Sequence, residues 1–207
     1  MKKIFTIVSI ALVLIAGNVS GFEKPVDSYY SLNWNISVPI SNFNKWIAPA
    51  SFLGFSFSGR YFLVDGVGLG FHIGYNNYYE KVGYKTYYFN SGAISASHYS
   101  YTYLVPFRMD IFYHLKPAGL VSTYIALGIG GDYQENHLLI QETDIYETTW
   151  NFLLAPEIGT IIRFDKGSSW GVRLGVNYTF TTGGITAFDL KNFQLVNFNI
   201  GVAYTVY

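Results

Sequence analysis

Residues 170–181 read Trp170-Gly171-Val172-Arg173-Leu174-Gly175-Val176-Asn177-Tyr178-Thr179-Phe180-Thr181, with an apolar or aromatic side chain at every even position. The odd positions hold only small, polar or charged residues. A period of two puts the two sets on opposite faces of an extended strand. Tyr30, Leu32, Trp34, Ile36, Val38 and Ile40 repeat the pattern against Ser31, Asn33, Asn35, Ser37, Pro39 and Ser41. So do Val67, Leu69, Phe71, Ile73 and Tyr75 against Gly68, Gly70, His72, Gly74 and Asn76.

Extended along the chain, this alternation predicts strands near 28–41, 50–62, 66–79, 99–114, 121–133, 146–164, 169–182 and 192–206. Turn-forming residues mark short connections at Leu63-Val64-Asp65-Gly66, Lys116-Pro117-Ala118-Gly119 and Asp165-Lys166-Gly167-Ser168. Longer connections are expected at 80–98, 134–145 and 183–191, with a shorter one at 42–49. Short turns on one rim and long loops on the other are the pattern of a membrane barrel. The expected fold is therefore all-β: an eight-stranded antiparallel up-and-down transmembrane β-barrel.

Composition indicates which face is outside. Charged residues are only 13% of the chain and aromatic residues 19%, whereas a soluble domain carries about 25% charged residues. Mean hydropathy is +0.22, yet only one segment is continuously apolar, so the hydrophobicity is dispersed over strands. A soluble lipocalin-like carrier also alternates, but it turns its apolar face inward and its charged face to water. The polar face here is rich in Gly, Ser, Asn and Thr, which suits a packed interior. Aromatic residues collect near both strand ends: Tyr30, Tyr61, Tyr113, Phe164 and Trp170 at one, and Trp46, Tyr75, Tyr101, Tyr103, Trp150 and Phe180 toward the other. These are expected to form two interfacial girdles.

In these features the chain resembles the small eight-stranded outer-membrane barrels, like the OmpA transmembrane domain, OmpX and the Opa adhesins. The resemblance covers the mature chain and rests on pattern rather than on a diagnostic motif. It implies outer-membrane lipid and the outer-membrane insertion machinery as partners. Such barrels end on an aromatic residue in phase with the lipid-facing set. Here that set is Val196, Phe198, Ile200, Val202, Tyr204 and Val206, so Tyr207 falls one residue out of phase.

The N-terminus supplies the route to such a location. Met1-Lys2-Lys3 precedes the apolar run Ile4 to Ala16 and the small-residue segment Gly17-Asn18-Val19-Ser20-Gly21. This predicts a secretory signal peptide, residues 1–21, cleaved after Gly21 to leave a barrel domain of 22–207. The apolar run is shorter than the ~20 residues a spanning helix needs. The chain has no cysteine, which excludes disulfides, thiolate metal sites and an acylated-cysteine anchor. Its formal net charge is zero, which argues against nucleic acid as a partner.

Alternation turns Arg60, Arg108, Asp110, Glu157, Arg163 and Arg173 inward, with Asp132 and His72 as further candidates. Charges enclosed in a narrow barrel must pair, because desolvating a lone ion costs several kcal/mol. The expected arrangement is an interior ion-pair network that blocks flow; its functional alternative is a small-ion path. The four histidines, His72, His98, His114 and His137, lack ligand spacing, so no metal or other cofactor is expected. His98-Tyr99-Ser100 resembles part of the His–Ser pair of outer-membrane lipid A deacylases, whose His would activate Ser as nucleophile. Tyr101 stands where that family has Asn, and alternation turns His98 and Ser100 away from lipid, so no enzyme is expected. The Tyr-rich segment holding Tyr84, Tyr87, Tyr88 and Phe89 is either a recognition surface for an extracellular ligand or a strand extension paired with the start of strand four.

Overall fold

The structure, a computed structural model, describes residues 26–89, 92–115, 119–140, 143–185 and 190–207, without the side chains of 85–89, 92–96 and 143. The expected leader, residues 1–21, lies outside the described residues. The chain forms β1 (Ser28–Ile40), α1 (Ser41–Trp46), β2 (Ser51–Val64), β3 (Val67–Phe89), β4 (Gly92–His114), β5 (Val121–Ile140), β6 (Thr143–Arg163), β7 (Trp170–Thr181) and β8 (Gln194–Val206). Consecutive strands pair antiparallel, and β8 returns to β1 from Ser28↔Val206 to Ile40↔Gln194, which closes the barrel. Closure gives the lower wall a partner on both sides of every strand. Only such a structure, or a helix, satisfies its backbone within hydrocarbon.

The two faces separate as the alternation requires. On β1, Leu32 and Trp34 are exposed, while Ser31, Asn33 and Asn35 are buried. On β5, Ile125, Leu127 and Ile129 face out, while Tyr124 and Asp132 face in. The buried set is dominated by Ser, Asn, Thr, Arg and Asp, and the exposed set by Leu, Ile, Val, Phe, Tyr and Trp. An exterior this apolar, extending around every strand, is matched to lipid and not to water. Leu127 lies on β5 between the lower rim and the upper ring pair Tyr133–Trp150, whose centroids are 5.1 Å apart. A Leu127→Arg substitution there should destabilise the lipid-embedded barrel by about 2–4 kcal/mol, read by equilibrium unfolding in liposomes. A soluble barrel would tolerate this change at an exposed site.

Strand heights differ from the sequence expectation. β3, β4, β5 and β6 run for 23, 23, 20 and 21 residues, against 12 to 14 for the other strands. The segments 80–98 and 134–145 are therefore not long loops. Strands β3 and β4 stay paired from Val67↔Tyr113 to Phe89↔Gly92, with one irregularity between Val82 and Lys85 around Gly83. The reason is environmental: once a strand leaves lipid its outer face need no longer be apolar. Alternation then fades although the strand continues. Together the four tall strands form a blade standing above the upper rim.

The connection after β1 also departs from expectation. It carries the short helix α1, and Trp46 is buried there, with its indole Nε1 donating to Thr102 Oγ1 at 3.0 Å. Trp46 is thus turned into the barrel mouth and is not part of the upper girdle. At the other end, β8 pairs without irregularity on both sides, so no bulge brings Tyr207 into phase. Its hydroxyl instead accepts from Arg163 Nη1 at 2.9 Å and donates to the Ser168 carbonyl at 3.1 Å.

Candidate functional site

From the lower rim upward, the lumen is filled in layers. Tyr29, Phe62, Phe112 and His114 pack edge to face near the bottom, with Tyr29–His114 centroids 5.5 Å apart. Above them β2, β4, β6 and β7 bring Arg60, Arg108, Asp110, Glu157 and Arg173 together. Arg60 Nη2 contacts Glu157 Oε1 at 3.0 Å and Asp110 Oδ2 at 3.3 Å, and Arg108 Nε contacts Asp110 Oδ1 at 2.9 Å. Arg108 Nη2 and Arg173 Nη2 also bind Glu157, one on each carboxylate oxygen. Glu157 accepts further from Tyr124 Oη at 2.6 Å. It is the shared anion of three guanidiniums.

Arg173 and Arg60 donate further hydrogen bonds, while Arg60 Nε and, apart from its ion contact with Asp110, Arg108 Nε are buried without a hydrogen-bond partner. Arg173 donates to Tyr124 Oη at 2.7 Å and to Ser58 and Ser31 at 2.9 and 3.1 Å. Arg60 donates to Tyr29 Oη at 2.7 Å and lies over the Tyr124 ring, 4.1 Å from its centroid. Side chains this large fit because the facing residues are glycines. A Cβ at Gly128 would overlap the Asp110 carboxylate and the Arg108 side chain, and one at Gly70 would stand 2.7 Å from Arg60 Cγ.

Three of the expected candidates lie apart from this cluster. Arg163 is at the lower rim, bonded to Tyr207, the Gly119 carbonyl at 3.0 Å and the Lys166 carbonyl. Asp132 sits higher, where Asn151 donates to it at 2.8 Å. His72 is buried opposite Arg108 on the neighbouring strand, in a polar layer with Asn35, Asn76, Asn177, Asn197 and Asn199.

The mouth is filled by a group that sequence reasoning missed. Phe43, Trp46 and Ile47 from α1 and its end, with Ile185, Leu190 and Phe193 from the β7–β8 connection, pack on Tyr78, Leu104, Leu138 and Leu195 of the wall. Phe43 stacks on Phe193 at 4.5 Å and meets Tyr78 edge-on at 4.8 Å. The available signal was the density of large apolar residues in two connections, where turn residues are the norm.

A second titratable group sits on the outer face of the blade. His137 lies one outward position above Glu135 and two above Tyr133, beyond the upper ring pair and so outside the membrane span. Its Nε2 is 2.7 Å from Glu135 and its Nδ1 2.9 Å from Asp144, with Tyr146 stacked at 5.9 Å. Partial burial works to lower the imidazole pKa, but the two carboxylates outweigh it and raise it above the ordinary value. A raised folded-state pKa gives stabilisation that is complete below the unfolded value of about 6.5 and lost as pH rises through the folded value. Amide protection factors, corrected for the intrinsic pH dependence of exchange, should therefore be higher at the top of β5 and β6 at pH 5 than at pH 8. Asp144→Asn should shrink that difference. Among the described residues, no group of three or more His, Asp or Glu could hold a metal ion.

The expected recognition segment is the upper part of the β3–β4 hairpin. Tyr84 is 80% exposed, while the side chains of Tyr87, Tyr88 and Phe89 lie outside the described residues. Below Tyr84, Tyr79 packs with Tyr101 at 5.0 Å and with Tyr99 at 6.1 Å, and Lys81 lies over the Tyr99 ring. Ser100, of the His98–Ser100 pair, is buried and lies opposite Glu80 and Leu138.

This architecture has solved counterparts. Ail, the attachment invasion locus protein of Yersinia pestis, matches with a TM-score of 0.53 at 12% identity, over 88% of this chain and all 100% of its own. Neisserial surface protein A matches with a TM-score of 0.54 at 15% identity, over 86% of this chain and 96% of its own. The fold is that of the small outer-membrane barrels. Fold and apolar exterior together make the chain a transmembrane barrel with that architecture. Ail has also been solved with the heparin analogue sucrose octasulfate. No protein-family model matches the sequence, and no curated protein does.

Proposed function

We propose that the protein, exported by residues 1–21, is a non-enzymatic outer-membrane barrel closed to solute flow, and that its blade is a recognition surface outside the cell. The observation that carries this reading is the unequal strand height. Lipid needs only the lower part of the wall, yet β3–β6 continue well above it with Tyr79, Tyr84, Tyr99 and Tyr101 on their faces. Tyr gives large contact area at small entropic cost, the chemistry favoured at adaptable binding surfaces. Closure is supported by the shared Glu157 cluster below and the Phe43–Phe193 packing above. Eight strands also leave a lumen that side chains can fill. The absence of catalysis is supported by the inward placement of Ser100, away from any lipid substrate.

The test uses cells displaying the whole protein and, in parallel, the purified barrel in a planar bilayer. The bilayer should show no porin-like conductance steps, and open steps would overturn the closed reading. Cells should bind a sulfated sugar such as sucrose octasulfate, the ligand with precedent on this fold. A Tyr84→Ser, Tyr99→Ser double variant should lose that binding while keeping its heat-modifiable mobility on gels. Wild-type cells that bind no better than cells lacking the protein would remove the recognition role for this ligand class. Ser100→Ala should leave lipid A unchanged, whereas altered lipid A would restore the deacylase reading.

A further inference from the structure

The ion-pair cluster does not balance. Arg60, Arg108 and Arg173 share Asp110 and Glu157, leaving one guanidinium charge in excess inside the wall. Asp132 stands higher on β5 and is bonded to Asn151 and Thr181 rather than to a guanidinium. An uncompensated buried charge is costly, and proteins meet that cost with a counter-ion or an extra hydrogen-bonding shell.

Directly above the cluster, between it and the apolar mouth, is a cavity of about 10 Å³ lined by Asn35, His72, Asn76, Arg108, Asn197 and Asn199 among others. That is room for a single water-sized particle. Three of the lining side chains are more than nine-tenths buried and have polar atoms without a hydrogen-bond partner: His72 Nδ1, Asn76 Oδ1, and both amide atoms of Asn199. An asparagine amide turned by half a revolution exchanges its oxygen for its NH2, so Asn76 and Asn199 can each present donors. Neutral His72 carries one ring N–H in either tautomer. Arg108 adds its guanidinium edge. The ring of groups is thus donor-rich on the side of the surplus charge. A cation is repelled there, and a water molecule would satisfy the amides but leave the charge.

We propose that this cavity is a binding site for a single monatomic anion of the halide class, chloride above all, held by Arg108, His72, Asn76 and Asn199. The anion completes the interior by neutralising the third guanidinium. Because it binds the folded barrel and not the unfolded chain, it stabilises the barrel in a saturable way.

The direct test is diffraction from crystals of the whole barrel grown in sodium bromide. An anomalous peak between Arg108, His72 and Asn199 is the expected result; water density there without anomalous signal overturns the site. In solution, the unfolding midpoint of the detergent-solubilised barrel should rise by a few degrees in sodium chloride relative to sodium gluconate at equal ionic strength. The rise should level off with concentration, which general screening does not do, and should vanish in Asn199→Leu. Equal midpoints for wild-type protein in the two salts would also overturn the proposal. Both wild-type measurements stand whether or not that variant folds.

Discussion

A Glu157→Ala barrel should lose about 3–5 kcal/mol of stability, the usual cost of removing one partner from a buried ionic set. Glu157 is the position where this loss is greatest because Arg60, Arg108 and Arg173 all end on its two oxygens, and Tyr124 donates to the same carboxylate. Truncation leaves three guanidiniums with only Asp110 between them. None can swing to water, since the side chains of Arg60 and Arg173 are fully buried. The measurement is urea unfolding in liposomes, followed by the mobility difference between boiled and unboiled samples. Asp110→Ala should cost less, because Arg60 and Arg108 each keep Glu157. Equal losses for the two variants would show that the cluster does not centre on Glu157.

Phe43→Ala should have a comparable effect, about 3–5 kcal/mol, through packing rather than charge. Phe43 is fully buried between Phe193 and Tyr78 and ties α1 to the β7–β8 connection and the wall of β3. Removing the ring leaves a cavity among Tyr78, Phe193 and the rest of the apolar mouth, which the paired strands beneath hold apart. The two proposed closures lie in series along one lumen. If each seals it, Phe43→Ala and Glu157→Ala should each stay closed to small ions, and only the double variant should conduct. Conductance of the three variants in planar bilayers checks this, and ion steps in one single variant would show that the other closure does not seal.

What the sequence made legible follows the lipid. Where a strand is embedded, one face must be apolar and the other must not, so Trp170–Thr181 and Tyr30–Ile40 could be read residue by residue, and both are strands. The inward direction of Arg60, Arg108, Asp110, Glu157 and Arg173 came from the same alternation. That they meet is a property of the register: Gly70↔Asp110, Gly128↔Asp110 and Glu157↔Asn177 set the levels of different strands. No local pattern states those levels, which is why Arg163, equally inward, lies at the rim instead. Above the lipid the alternation has no reason to persist, and residues 80–98 read as a loop although their described backbone is paired apart from the irregularity between Val82 and Lys85. Trp46 misled for a related reason. An aromatic residue near a strand end is ordinary at an interface, but α1 turns this one inward to Thr102.

The uneven rim has a consequence for how the molecule keeps to itself. Within the lipid every strand has two neighbours, so there is no edge to which another chain could add. The blade gives that protection up. Asn77 is the last residue of β3 paired with β2, and Leu153 the last of β6 paired with β7, yet β3 continues to Phe89 and β6 begins at Thr143. Two borders of backbone N–H and C=O groups thus stand in water, a template for strand-to-strand aggregation between neighbouring copies. Charged residues sit along both: Glu80 and Lys81 on one, Asp144 and Glu147 on the other. They make these borders hydrated and poorly suited to self-stacking. The part of the protein that reaches farthest from the membrane is thereby kept from zipping onto its own kind in a crowded bilayer.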